Sequence, residues 1–365
     1  MAPASRLAAR LVDLSHAQLL EIAAAGCEAS TEVQNRADAI LAAHKPLPQW
    51  AVEGVLLSGD LVPHLLAPLQ LEDGAAAAVC SRWADGWKAT SEGRRRLTQV
   101  AFDFPQELLG VSSTFSIAVI PGGDELVVRS GCTVRILARD MSSGASFESE
   151  PQSQYCSYIA ASEQHFYMTD SNEEVCSLTH AGTEVAKYGD GTKFIFCPVL
   201  APGGLLFCVL SQDGNEKEDE IIALDAQTLQ PRYRFGLSML NFACGMVTIG
   251  EELFVCDRDN NRIQVFSLAG EHRRSITGEW KRPSGLYFVK DRLYLVEKKD
   301  GTDNPLQCGR RICVVSLQGD MLQVYMNPVE GQTFGETFCC FDGKLLAPVQ
   351  DHTSVYVGVM ALGGL

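Results

Sequence analysis

The chain has 365 residues, 46% of them apolar and 21% charged, a composition that excludes disordered, collagen-like and coiled-coil proteins. Its 30 Lys+Arg against 45 Asp+Glu leave a net charge of −15, which opposes nonspecific binding to nucleic acid or to an anionic membrane. No run of about 18 apolar residues occurs and Met1 to Arg10 lack the apolar stretch of a signal peptide, so neither membrane spanning nor secretion is expected. Thirteen cysteines, without a CxxC pair and mostly set in apolar runs such as Ile195-Phe196-Cys197, read as reduced, buried thiols of a cytoplasmic or nuclear protein.

The first 50 residues predict two or three short helices. Leu7, Leu11 and Leu14 recur at helical spacing, Ser15 can cap a following helix, and the run from Ser30 to Ala43 stops at Lys45-Pro46-Leu47-Pro48, where two prolines end helical pairing. A further helical stretch spans Ser58 to Thr90, inside a segment bounded at 51–96. After Arg94-Arg95-Arg96 the apolar period changes from helical to alternating, and short β-branched strands separated by Gly, Asp and Asn turns continue to residue 365. The expected class is therefore multidomain: an α-helical region, then an all-β domain over 97–365.

Within the all-β region a single strand pattern recurs, beginning at Glu125, His165, Leu205, Glu252, Arg292 and Lys344, at intervals of 40, 40, 47, 40 and 52 residues. A period near 40 with four strands per repeat predicts a six-bladed β-propeller, since no single blade can bury both of its faces without neighbours. The sixth repeat ends at Val355–Met360 with its outermost strand missing. Leu97–Phe104 has strand composition and no partner of its own, so it is expected to pair with Val355–Met360 and latch the ring.

In the fourth repeat, Asp257-Arg258-Asp259-Asn260-Asn261-Arg262-Ile263-Gln264-Val265-Phe266, followed by Pro283-Ser284-Gly285, resembles the NHL repeat; the other five keep only the hydrophobic skeleton. The segment Val55–Trp83 resembles an F-box: Leu57, Leu61, Leu65, Leu69, Leu71, Asp73, Val79, Cys80 and Trp83 fit that pattern, with Ser58 where the family has proline. That resemblance implies a helical hairpin docking on a Skp-type adaptor of a cullin ubiquitin ligase, with Leu57, Leu61, Leu65, Leu66, Leu69, Leu71, Val79, Cys80 and Trp83 as the adaptor-binding residues. So many leucines in about 40 residues call for a covering surface on physical grounds as well.

No catalytic constellation stands out. Six-bladed propellers can hold an axial metal, but the inner-strand segments here, such as Ile117-Ala118-Val119 and Gly245-Met246-Val247, supply no carboxylate or imidazole, and the seven histidines lack ligand spacing. No cofactor or metal is therefore expected. Charge is uneven instead: residues 257–311 carry 12 Lys+Arg against 8 Asp+Glu, or +4, whereas the remainder from residue 98 carries 9 against 26, or −17. Arg258, Arg262, Lys281, Arg282, Lys298, Lys299, Arg310 and Arg311 are expected to cluster where second-to-third strand turns and blade connections emerge, with 298–311 as an insertion, and to recognise an acidic or phosphorylated protein target. The sequence thus reads as a non-enzymatic substrate-recognition subunit of a Skp-cullin-F-box ligase. A plain propeller scaffold is the alternative, and an RNA-binding NHL propeller, using Trp280 and Tyr287 beside the basic residues, or a propeller hydrolase or lyase comes third.

Overall fold

The computed structural model describes residues 62–66, 83–85 and 95–365, apart from 110–113, 123, 150–157, 170–173, 190, 192, 212–218 and 299–307. The described residues divide into two units, one before Leu97 and the other Leu97–Gly363. In the first, α1 (Val62–Leu66) is a short helix; Val62 and Leu66 on it are buried, and so is Trp83, which is also helical.

The second unit holds six antiparallel sheets in a six-bladed propeller. The chain enters on β1 (Thr98–Val100) and then builds the blades in order. Blade 1 is β2 (Phe115–Val119), β3 (Glu125–Ser130), β4 (Thr133–Ala138) and β5 (Ser143–Glu148). Blade 2 is β6 (Ile159–Ala161), β7 (His165–Thr169), β8 (Glu174–Thr179) and β9 (Glu184–Gly189). Blade 3 is β10 (Phe194–Ala201), β11 (Leu205–Ser211), β12 (Asp219–Asp225) and β13 (Pro231–Leu240). Blade 4 is β14 (Ala243–Ile249), β15 (Glu252–Asp257), β16 (Arg262–Ser267) and β17 (His272–Thr277). Blade 5 is β18 (Pro283–Val289), β19 (Arg292–Lys298), β20 (Cys308–Val315) and β21 (Met321–Met326). Blade 6 has an interrupted inner strand, β22 (Thr333–Phe334) and β23 (Cys339–Phe341), both pairing with β24 (Lys344–Gln350), which pairs with β25 (Tyr356–Gly363).

The six recurring strands of the sequence are β3, β7, β11, β15, β19 and β24, each the second strand of its blade. Their runs are continuously apolar because both faces are covered. On β11, Leu206, Cys208 and Leu210 pack toward blade 2 while Phe207 and Val209 pack toward blade 4. On β19, Leu293 and Leu295 join the core shared with blade 4, and Tyr294 and Val296 the core shared with blade 6. A strand that alternates between two dry interfaces has no polar side to show.

The ring closes through β1, the outermost strand of blade 6, and here the expected register is corrected. Thr98, Gln99 and Val100 pair with Gly363, Leu362 and Ala361, not with Val355–Met360, and only these three residues of Leu97–Phe104 are in the sheet. The cause is local. β25 runs on to Gly363, whereas beyond Val100 the chain leaves the ladder: Phe104 drops into the core between blades 6 and 1, and Pro105, which cannot donate, precedes a 3-10 turn at Gln106–Leu108. Leu97 is buried between blades 5 and 6, its backbone N–H donating to Gln323 Oε1 (2.8 Å).

Blade spacing is set by two inner-strand glycines. A Cβ on Gly245 would lie 2.3 Å from the Ser284 carbonyl of blade 5, and one on Gly285 would lie 2.3 Å from the Glu336 carbonyl of blade 6. Both are excluded contacts, so only glycine lets these backbones approach so closely.

Candidate functional site: the upper end of blades 4 and 5

In a four-stranded blade the second-to-third strand turns and the connections between blades emerge at one end of the ring, taken here as the upper end. In blade 4 the turn after β15 is a 3-10 turn, Arg258–Asn260, closed by Asn261 in the left-handed region at φ 56°. Asp257 anchors it. Its carboxylate, fully buried, accepts from the Asn241 N–H (2.8 Å) of the preceding connection, from Asn260 Nδ2 (2.9 and 3.0 Å) and from Arg262 Nε (2.7 Å). Asn261 reaches the other way, its Oδ1 accepting the Arg282 N–H (2.8 Å) at the start of blade 5. The Asp and Asn positions therefore stitch three blades together as well as shaping their own turn.

Above this anchor two guanidinium groups converge on one carboxylate oxygen. Asp259 Oδ1 accepts from Arg258 Nε (2.9 Å) and from Arg282 Nε (3.2 Å). The Arg258 side chain, 6% exposed, sets its Cζ over the Phe242 ring at 3.3 Å from the centroid, so the cation–π contact and the ion pair fix its position. Around it lie Asp219, whose carboxyl is pushed upward in pKa mainly by burial and whose Oδ2 accepts the Ala243 N–H (2.5 Å), and Glu336, whose field supports the Arg258 charge. Arg282, a third exposed, adopts φ 48°, a conformation that costs a non-glycine residue and here aims its side chain at Asp259.

The remaining predicted basic residues divide. Arg262 is bound to Asp257, and Arg311 forms a two-pronged pair with the buried Glu297, whose Oε1 also accepts the Lys281 N–H (2.7 Å). Arg310 donates to the carbonyls of Asn327 and Val329 (3.3 Å each). Arg310 and Arg311 belong to β20, which starts at Cys308, so the insertion is shorter than 298–311. Lys298 ends β19 with its side chain outside the described residues, as is the whole of Lys299. What the ring brings together at the upper end is thus Arg258 and Arg282 on Asp259, with the Lys281 backbone tied to Glu297 beside them and Arg262, Arg310 and Arg311 bound to other partners.

Two aromatic expectations are corrected. Trp280 is 2% exposed and wedged against Gly278 and Gly319, so it offers no face for a base to stack on. Tyr287 turns inward, its hydroxyl accepting the Cys340 N–H (3.0 Å) of blade 6, and burial raises its pKa. Sequence reasoning also missed Tyr158. Its hydroxyl donates to the Ser284 carbonyl (3.1 Å), and since blades 2 and 5 stand opposite in a ring of six, this bond crosses the axial channel.

Of the proposed adaptor-binding residues, Leu66 and Trp83 are buried, 1% and 8% exposed. The backbone of Leu65 belongs to α1, its side chain lying outside the described residues, as do Leu57, Leu61, Leu69, Leu71, Val79 and Cys80 entirely. Among the described residues no group of three His, Cys, Asp or Glu side chains is placed to hold a metal, and no helix is long and apolar enough to cross a membrane. The nine cysteines whose side chains are described form no disulfide, and seven of them are buried.

The sequence matches no family model and no curated protein. Among solved structures the chain is similar to BamB from Moraxella catarrhalis, at 12% identity over 73% of this chain and 100% of that one, with a TM-score of 0.44. It is also similar to the WD40 β-propeller domain of Doa1, at 10% identity over 68% of this chain and 77% of that one, and to U3-55K, at 7% identity over 69% and 76%, each with a TM-score of 0.49. The blade count rests on the strand pairings of the chain itself.

Proposed function

We propose that this protein is a non-catalytic binding subunit whose propeller holds an acidic or phosphorylated segment of a protein target at the upper end of blades 4 and 5. The observation that carries the reading is the pair Arg258 and Arg282 on one oxygen of Asp259. Two guanidinium groups share one carboxylate there, and the outer of the two, that of Arg282, is a third exposed and faces an incoming carboxylate or phosphate. A −17 surround beside a +4 segment admits a short anionic group on a peptide and opposes a polyanion such as RNA.

The leucine-rich 51–96 segment, with its F-box-like pattern, would join this target to a Skp-type adaptor and a cullin in the cytoplasm or nucleus. The chemistry would then be proximity alone: ubiquitin transfer becomes effectively intramolecular when the target is held beside the charged enzyme. Because Leu66 and Trp83 are packing residues, the test uses Leu61→Asp and Leu65→Asp in the full-length chain. Recovery of an adaptor and a cullin with the wild type and their loss in both variants, with the propeller's near-ultraviolet dichroism unchanged, is the expected result. A wild type that recovers neither makes the molecule a scaffold without a ligase role.

A further inference from the structure

The outermost strand of a propeller blade has a free edge, and soluble proteins guard such edges with charge, proline or short length. Five of the six outer strands here do so. β5 ends in Glu148, β9 carries Glu184 and Lys187, β13 carries Pro231, Arg232 and Arg234, β17 carries Arg273 and Arg274, and β1 is three residues long. β21, Met-Leu-Gln-Val-Tyr-Met, has neither charge, proline nor glycine. The outer pair of each of blades 1 to 5 has a register shift, so a bulge does not set β21 apart.

The same edge gathers exposed apolar side chains. Of the six large apolar residues exposed among the described ones, four lie here: Leu322, Val324, Met326 and, just beyond the strand, Val329. The other face of β21 is engaged: Gln323 bonds the Leu97 backbone in both directions, and Tyr325 packs on Phe334. The strand is thereby held rigidly with its apolar side outward.

We propose that this edge is a self-association site at which β21 of a second copy pairs antiparallel with β21 across a two-fold axis, independently of the upper face. The occupant must be an extended, uncharged strand with apolar residues on one side, because a charged one would bring an unpaired charge onto an apolar surface. A second β21 meets that requirement by construction. A two-fold through Val324 sets the two valines opposite each other and Met326 of each copy toward Leu322 of its mate, and it consumes both free edges, so assembly stops at a dimer. Each chain carries −15, so the neutral edge is where two copies can approach with least repulsion, and added salt should tighten the pair.

The test is sedimentation of the full-length protein across a concentration series. A concentration-dependent dimer that tightens with salt, weakens on the order of 100-fold in Val324→Lys and survives in Val324→Thr is the expected result. Unchanged thermal melting of Val324→Lys would confirm that it folds. A wild type that stays monomeric at its highest soluble concentration, or a dimer indifferent to Val324→Lys, overturns the proposal.

Discussion

At the residue scale, Asp257 shows how one buried carboxylate serves both fold and surface. It neutralises Arg262 and satisfies an amide of the preceding connection, and through Asn260 it fixes the turn from which Arg258 and Asp259 project. Removing it leaves three donors without their acceptor. Asp257→Ala should therefore cost about 2–4 kcal/mol, and Asp257→Asn, which keeps one oxygen but no charge, should cost less. Urea unfolding followed by tryptophan fluorescence measures both; a loss below about 1 kcal/mol for the alanine variant would show that the turn does not depend on this anchor. The acidic and amide positions of this turn stood out in the sequence. Their partners did not, because Asn241 comes from the previous blade connection and Arg282 from the next one, contacts that exist only once the ring is closed. The same reason hid the pairing of Arg311 with Glu297 and the inward turn of Trp280.

At the element scale, the closing strand carries more than its three ladder residues suggest. Leu97 and Phe104 flank β1 and fill the cores on the two sides of blade 6, so the latch contributes packing at two interfaces as well as backbone pairing. Replacing 97–104 with a glycine-serine segment of equal length should lower the melting temperature by about 10 °C or more, since each apolar side chain lost is worth about 2–5 kcal/mol. It should also expose the edge of β25 and drive association, visible by light scattering. A monomer with unchanged melting would remove β1 from the closure. The strand starts from β3 to β24 were legible because each of those strands is apolar on both faces, a signal that needs no knowledge of the neighbours. The latch was legible as an orphan strand, but its register was not: a three-residue pairing leaves no alternation long enough to choose between Val355–Met360 and Ala361–Gly363.

At the scale of the whole molecule, the ring of six blades sets the segment 257–311, which carries +4 in the sequence, on blades 4 and 5, while the rest of the chain from residue 98 carries −17. The bond from Tyr158 to Ser284 spans the axis, and the conspicuous arrangement of charge is on the outer end of the ring instead. The charge asymmetry was readable by counting residues. How much of it faces solvent was not, since ion pairs with Asp257 and Glu297 draw Arg262 and Arg311 into the structure.

The proposed binding role of the upper end of blades 4 and 5 is tested most directly by charge reversal at its two more exposed basic residues, Lys281→Glu and Arg282→Glu together, leaving the buried Arg258 in place. Proteins cross-linked to the full-length chain in cells should lose their acidic or phosphorylated members in the double variant, while its melting temperature stays close to that of the wild type. An identical set of cross-linked proteins in wild type and variant would contradict the assignment of the upper end of blades 4 and 5 as the binding face.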